Sequence, residues 1–376
     1  MIRRILAASL ILSLPGAAGA QTGKTWLIGE VTPLTGPAAT VGTRMSKVVR
    51  MWADEVNAAG GIAGAKVEVL TCNEENRPEK AVACARDLIE KGIVLLFGNS
   101  LTASIRAMMP LVRQGPVMLI PSPNVVPGPD TYAFQVSPTD EHITLALADF
   151  LKSNGMKKLG MVAATDASGE VGASSARTVF GKTGIELNLA RIDLRATDAS
   201  TQLARVASAD VPIIYSSYTG AGAVTVVKSY QILGLQQPLV VSYGNLSDAF
   251  AQLVKDVKPK RLLGTSLAAL VPETLKDAGE RKRAEAFLTA YRKRYNEHPD
   301  MLNVSAKTEV DVADAILRNV QNPRDPEAVR KYLYSTAVPS VHNQRFSPKS
   351  HVGLDASSII MAELKDGVWT KADPLR

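Results

Sequence analysis

LLFGNSLTASIRAMMPLVRQGPVMLIPSPNVV, residues 95–126, decides how this chain folds. The apolar run Leu95-Leu96-Phe97 stops at Gly98, and a short polar loop follows with Asn99, Ser100 and Thr102. A helix-length apolar segment then leads to Pro110. A second apolar run, Val117 to Ile120, ends in another polar loop from Pro121 to Asn124. Two strand-to-loop switches this close together, each followed by small residues able to expose backbone N–H groups, form a pocket at the carboxyl ends of the strands of an open α/β sheet. The stretch offers a ligand site and no nucleophile.

Upstream of this stretch the same pattern continues. Trp26 to Val31 reads as a strand, Pro33-Leu34-Thr35-Gly36-Pro37 as its loop, and Thr43 to Ala58 as a helix with Val48, Val49, Trp52 and Val56 on one face before Gly60-Gly61. Strand Lys66 to Thr71, helix Pro78 to Lys91, strand Val94 to Phe97, helix Ala103 to Arg113 and strand Val117 to Ile120 complete a βαβ alternation, which predicts a parallel sheet with helices on both faces. A second set begins after Phe134 to Pro138, with helices at 141–154, 170–182, 201–208, 221–233 and 246–257 alternating with strands at 159–162, 185–194, 213–215, 239–242 and 262–268. From Pro272 to Arg330 long helices take over, and strands return at 344–347, 357–364 and 368–369. At 376 residues the chain is too long for one ordinary core, and two similar α/β halves are expected.

Composition narrows the function. Apolar residues at 46% and charged residues at 21% are globular values, so disorder is not expected. The net charge of +7 is dispersed, and Arg281-Lys282-Arg283 and Arg292-Lys293-Arg294 alternate with acidic residues, which predicts a solvated helix face and no nucleic-acid binding. Met1 to Arg4, Ile5 to Leu14 and Ala18-Gly19-Ala20 match the basic, apolar and small-residue parts of a secretory signal peptide, residues 1–20, cut before Gln21. Its apolar run falls short of the roughly 20 residues a membrane span needs. Export of the mature protein is expected.

Two cysteines fit an oxidising compartment. Cys72 falls at a strand end and Cys84 near the second turn of the helix that Pro78 opens, so a short-loop disulfide is expected, the alternative being a free buried pair. His142, His298, His342 and His351 show no ligand spacing, so no metal is expected, and nothing calls for a cofactor. Gly181-Lys182-Thr183 ends like a phosphate loop, but Ala176 stands where its first glycine belongs. Gly98-Asn99-Ser100-Leu101-Thr102 has Thr102 where a nucleophile elbow closes on glycine. An enzyme is not expected.

Several segments together resemble the leucine/isoleucine/valine-binding proteins, the type I periplasmic solute-binding proteins of ABC transporters. They are Leu34-Thr35-Gly36-Pro37, Asp54 to Gly64 (DEVNAAGGIAG), Pro78 with Ala81-Val82, Gly98 with Thr102, and Gln135 to Asp140 (QVSPTD). The resemblance covers nearly the whole mature chain and weakens after Pro272. It implies two Rossmann-like lobes joined by three crossings around a ligand cleft: residues 21–141 plus 271–343, and residues 142–270 plus 344–376. It also implies the periplasm as compartment, with a small-molecule ligand and ABC transporter permease subunits as partners.

Carried over residue by residue, the resemblance places Thr102 where a hydroxyl binds the ligand carboxylate, with Ser100 in the same loop and Pro123, Asn124 and Val125 on the next. Tyr218, with Thr219 beside it, falls where an aromatic residue packs on the ligand. Val41 and Ser168 stand where tyrosines are expected, and Val125 where a threonine is. Around Tyr243-Gly244-Asn245 the acid that would pair with an α-ammonium is missing. These departures favour a carboxylate such as an aromatic acid. The alternatives stay open: an amino acid, with Asp140, Glu141, Asp166 or Glu170 supplying the charge, or a soluble ligand-sensing subunit for a membrane receptor. Thr102 as a mere helix cap, Tyr218 as core, and Tyr243 and Asn245 as turn formers are the plain structural readings of those residues.

Overall fold

The computed structural model describes residues 25–375 apart from Leu194 and Lys258, and the side chain of Ala221 is not described. The expected signal peptide lies outside the described residues. The first sheet has five parallel strands in the order β2-β1-β3-β4-β5: β1 (Thr25–Thr32), β2 (Lys66–Asn73), β3 (Leu95–Phe97), β4 (Val117–Ile120) and β5 (Ala133–Gln135). Helices α1 (Ala39–Ala58), α2 (Pro78–Glu90) and α3 (Thr102–Met108) connect the first four strands, with a 3₁₀ turn Met109–Val112 after α3. Helix α1 buries the predicted Val48, Val49, Trp52 and Val56. The chain then leaves the helix through Gly60 and Gly61, whose φ of 96° and 85° suits glycine.

The second sheet has the order β12-β11-β10-β9-β8-β6-β7. Its parallel strands are β6 (Lys158–Ala164), β7 (Glu186–Ile192), β8 (Ile214–Ser216), β9 (Leu239–Val241) and β10 (Leu262–Leu267), with α4 (Asp140–Ser153), α5 (Ala167–Thr183), α6 (Ser200–Val206), α7 (Ala221–Ile232) and α8 (Asp248–Leu253) around them. Helices α9 (Ala278–Tyr295), α10 (Met301–Asn319) and α11 (Pro326–Ser335) follow. The last two strands, β11 (Ile359–Lys365) and β12 (Val368–Lys371), run antiparallel and close the sheet edge through an Asp366-Gly367 turn with both φ positive. Among the described residues no helix is long and apolar enough to cross a membrane.

Each sheet is covered on both faces, as the near-continuous apolar strands require. In the first lobe, α1, α9, α10 and α11 pack one face, and α2 and α3 the other. In the second, α4 and α5 pack one face, and α6, α7 and α8 the other. The chain passes from the first sheet to the second after β5, returns after β10, and passes over again before β11. Two of these crossings run side by side: the Gln135 N–H donates to His351 O at 2.8 Å, and the Gly353 N–H donates to Gln135 O at 2.9 Å.

Three details differ from the sequence reading. The segment 344–347, expected as a strand, is irregular, held by isolated bridges Val338 to Gln344 and Ser347 to Ser350. The three-residue β5 was not expected. The helix expected over 246–257 is cut to Asp248–Leu253 because Ser247 caps it, accepting from the Phe250 N–H at 3.2 Å, and Tyr243–Asn245 forms a separate 3₁₀ turn. The disulfide Cys72–Cys84 is formed, with Cα atoms 5.7 Å apart, and ties the end of β2 to α2.

Candidate ligand-binding cleft

The loop after β3 is built from buried polar groups. The Gly98 N–H donates to Leu119 O at 3.0 Å, and a Cβ at Gly98 would stand 2.7 Å from Ile105 Cδ1, so a larger residue here would push the Ile105 side chain of α3 aside. The fully buried Asn99 accepts the Leu101 N–H at 2.7 Å, a side-chain turn that aims the next residues outward, and donates through Nδ2 to Val31 O at 3.2 Å. Leu101 is the N-cap residue of α3 and provides no side-chain cap, so Thr102 is the first helical residue and not the cap. The opening N–H groups of α3 are thus left for another acceptor.

The loop after β4 lies against it. Ser122 Oγ donates to Ser100 O at 3.3 Å, Gln135 Nε2 donates to Ser122 O at 3.0 Å, and the Asp140 N–H donates to Pro123 O at 3.0 Å. Pro123 and Asn124 are half-buried, whereas the Val125 side chain is buried in the first lobe's core beside α3. Val41, on α1, is partly buried against the first lobe's other core cluster.

From the second lobe, α5 brings Ser168 to the cleft. Asp166 caps the helix by accepting the Gly169 N–H at 2.8 Å, and a Cβ at Gly169 would stand 2.0 Å from Ala164 O. The Ser168 and Thr102 hydroxyls are hydrogen-bonded across the cleft at 3.3 Å. Tyr218 is buried, its ring lies over Gly222, and its hydroxyl donates to Asp193 O at 2.5 Å. Burial, with Asp166 and Asp193 nearby, pushes that hydroxyl up to about 12. Asn245 braces the same loop: Nδ2 donates to Tyr218 O at 2.7 Å and Oδ1 accepts the Gly220 N–H at 3.1 Å. Thr219 is exposed beside it, against Gly244. Tyr243 is buried and its hydroxyl meets Ser305 Oγ of α10 at 3.2 Å, a second link between the lobes.

Three histidines that the sequence scatters each lie beside a crossing. His142 Nδ1 accepts the Thr139 N–H at 3.3 Å, His342 Nε2 accepts the Ala269 N–H at 3.1 Å, and His351 Nδ1 donates to Ala133 O at 2.9 Å. Burial lowers the pKa of all three, that of His342 to about 4. A hollow of about 930 Å³ opens there, lined by His142, His342, Arg345 and Asp355 with Pro123 and Asn124. The structure therefore divides the sequence-predicted residues. Thr102 and Ser168 meet across the cleft, Tyr218, Thr219 and Asn245 form one braced group in the second lobe, and Tyr243 packs into the first lobe's core and bonds α10. Pro123 and Asn124 face the hollow. Sequence reasoning passed over Glu74, Ser104, Ser122, Asp193 and Ser305, which act only through tertiary contacts. Among the described residues no group of three or more His, Cys, Asp or Glu is placed to hold a metal ion.

A family model described as periplasmic binding protein matches residues 25–367. The chain belongs to the periplasmic binding protein family. This periplasmic binding protein is of type I, in the branched-chain amino acid family, whose members are substrate-binding proteins and not enzymes. They bind small-molecule ligands and deliver them to ABC transporter permeases. It is similar to the Leu/Ile/Val-binding protein homolog 3 of Brucella melitensis, 24% identical over 315 residues covering 82% of each chain. The fold is shared with an R. palustris ABC-transporter solute-binding protein in complex with benzoate (TM-score 0.78, 20% identity, 92% of this chain and 95% of that one). It is also shared with a leucine-binding protein from Thermotoga maritima (TM-score 0.79, 17% identity, 92% and 97%).

Proposed function

We propose that this protein binds a small organic carboxylate with an apolar or aromatic body, of the benzoate or cinnamate type, in the periplasm and hands it to the permease subunits of an ABC importer. The observation that carries this reading is the Thr102–Ser168 hydroxyl pair at the uncapped first turn of α3. Hydroxyl and N–H donors suit a carboxylate, each charge-assisted bond contributing roughly 1.5 to 3 kcal/mol. Thr102 and the loop N–H groups would hold the anion, and Ser168 would close over it.

Three of the four acids that could pair with an α-ammonium are engaged elsewhere, which supports the same reading. Ser175 donates to the Asp140 carboxyl, which burial pushes up to about 6, while the Thr144 hydroxyl donates to the Asp140 backbone carbonyl at 2.8 Å. Glu170 is paired with Arg191 at 2.6 Å, and Asp166 caps α5. Glu141 is exposed on the rim of the crossing hollow. An ammonium shut into the cleft without a partner costs several kcal/mol. One observation favours the amino-acid reading instead: Asp166 and Asp193 are near enough to Tyr218 to raise its pKa.

Calorimetric titration with leucine, benzoate and a hydroxycinnamate separates the two. Binding of an aromatic acid with no heat from leucine is expected; tight leucine binding with no response to either acid would overturn the proposal. The rival partner, a membrane receptor served by the same fold, is tested by whether permease and ATPase genes neighbour this one.

A further inference from the structure

Glu74 follows β2 directly and is fully buried, although it is a carboxylate. One oxygen accepts Ser104 Oγ at 2.9 Å and the Arg77 N–H at 3.0 Å, and the other lies 3.5 Å from Asn99 Nδ2. Asn99 precedes the turn Ser100–Thr102 and Ser104 follows it, so a single side chain grips both arms of the segment that presents Thr102 to the cleft. Asn99 passes the constraint on, because its Oδ1 accepts the Leu101 N–H at 2.7 Å. The anchor is itself held: the Cys72–Cys84 bond lies two residues before it and joins β2 to α2.

Burying a carboxylate is costly unless its lone pairs are filled. Four donors converge on Glu74, since the Asn76 N–H joins the three above. Burial still raises its pKa, Glu79 adds slightly, and Ser104 is the largest opposing influence. The first lobe's core needs no charge at this place. A loop that must hold N–H groups in one orientation before a ligand arrives does need a rigid support, because a misplaced donor loses its bond to the ligand.

We propose that Glu74 is the positioning residue of the cleft, setting the Ser100–Thr102 turn through Asn99 and Ser104 and thereby the discrimination of a carboxylate from a neutral group. This rests on the reading that Thr102 and its loop bind the ligand carboxylate. Gln at position 74 keeps the shape, but an NH₂ turned toward the Asn99 NH₂ breaks that grip, and one turned toward Ser104, whose hydroxyl can rotate to accept, leaves the Arg77 N–H facing a donor.

The test measures affinity for benzoate and for benzamide in wild type, Glu74→Gln and Thr102→Ala, together with amide exchange at Leu101 and Ala103 in ligand-free protein. In Glu74→Gln the benzoate preference is expected to fall about tenfold, the equivalent of one charge-assisted hydrogen bond, with faster exchange confined to this turn. A purely structural role would lower the melting temperature while leaving the preference and the local exchange as in wild type, and that result overturns the proposal. If Thr102→Ala leaves the benzoate preference intact, the carboxylate reading of the cleft fails; the exchange at Leu101 then decides the role of Glu74 alone. Should Glu74→Gln not fold, Ser104→Ala cuts one grip of Glu74 while the Asn99 bonds to Glu74, Val31 and Leu101 stay in place, and the same outcomes apply.

Discussion

Acidification should weaken the fold through His342. The imidazole is buried where two crossings meet, its Nε2 accepting the Ala269 N–H at 3.1 Å, and burial lowers its pKa to about 4. A protonated Nε2 cannot accept that bond, so the folded state resists the proton. In the unfolded chain the pKa returns to about 6.5. The folded value is the depressed one, so this stability is complete above the unfolded pKa and is lost as pH falls from there toward 4. At 1.36 kcal/mol per pH unit, the loss at pH 4 is about 3 kcal/mol. Asp140 acts with the opposite sign: its folded pKa of about 6 lies above the ordinary value of 3.8, so protonation favours the folded state by roughly 2 kcal/mol over the same range. The two nearly cancel in the wild-type protein, and a single pH profile hides both. Urea unfolding of wild type and His342→Gln at neutral pH and near pH 4 isolates the histidine, because Gln keeps an acceptor and does not titrate. The variant should lose about 3 kcal/mol less than wild type on acidification. Equal losses in the two proteins would refute the reasoning.

Other expectations follow from the same contacts. Replacing both Cys72 and Cys84 by Ser removes a cross-link between residues 12 apart and should lower unfolding free energy by about 3 kcal/mol, read from urea midpoints in non-reducing buffer; an unchanged midpoint would count against a structural role for the bond. Gly222→Ala puts a Cβ 1.6 Å from the Tyr218 ring and should destabilise by roughly 1 to 3 kcal/mol, visible as a lower melting temperature. A melting temperature equal to wild type would mean that Tyr218 is free to move. Saturating ligand should shrink the radius of gyration in small-angle scattering, since the Thr102–Ser168 and Tyr243–Ser305 contacts join the lobes. Identical dimensions with and without ligand would rule out closure as the signal to a permease.

The alternation of strand and helix was legible because apolar runs of strand length and helical apolar faces are local signals, and Val117–Ile120 was bounded correctly by Pro116 and Pro121. Strand β5 was not, because its three residues owe their state to pairing with β4. Conversely, 344–347 makes only isolated bridges, Val338 to Gln344 and Ser347 to Ser350, and joins neither sheet among the described residues. Within the cleft, the loop after β3 could be read from its glycine and small polar residues. That Thr102 would meet Ser168, 66 positions away, could not. Glu74 was silent for the same reason: a glutamate after a strand reads as solvated, and burial became visible only once α3 and Asn99 closed over it. The histidines illustrate the limit well. His142, His342 and His351 have no shared spacing, and the structure sets each of them beside a crossing.

The most direct test of the central claim is a crystal structure of the protein saturated with the aromatic acid that binds it best. The carboxylate is expected within hydrogen-bond distance of the Thr102 hydroxyl and the first N–H groups of α3, with the ring on the second-lobe side near Tyr218. A ligand seated instead in the hollow at the crossings, with its carboxylate on Arg345 beside His342, would contradict the account.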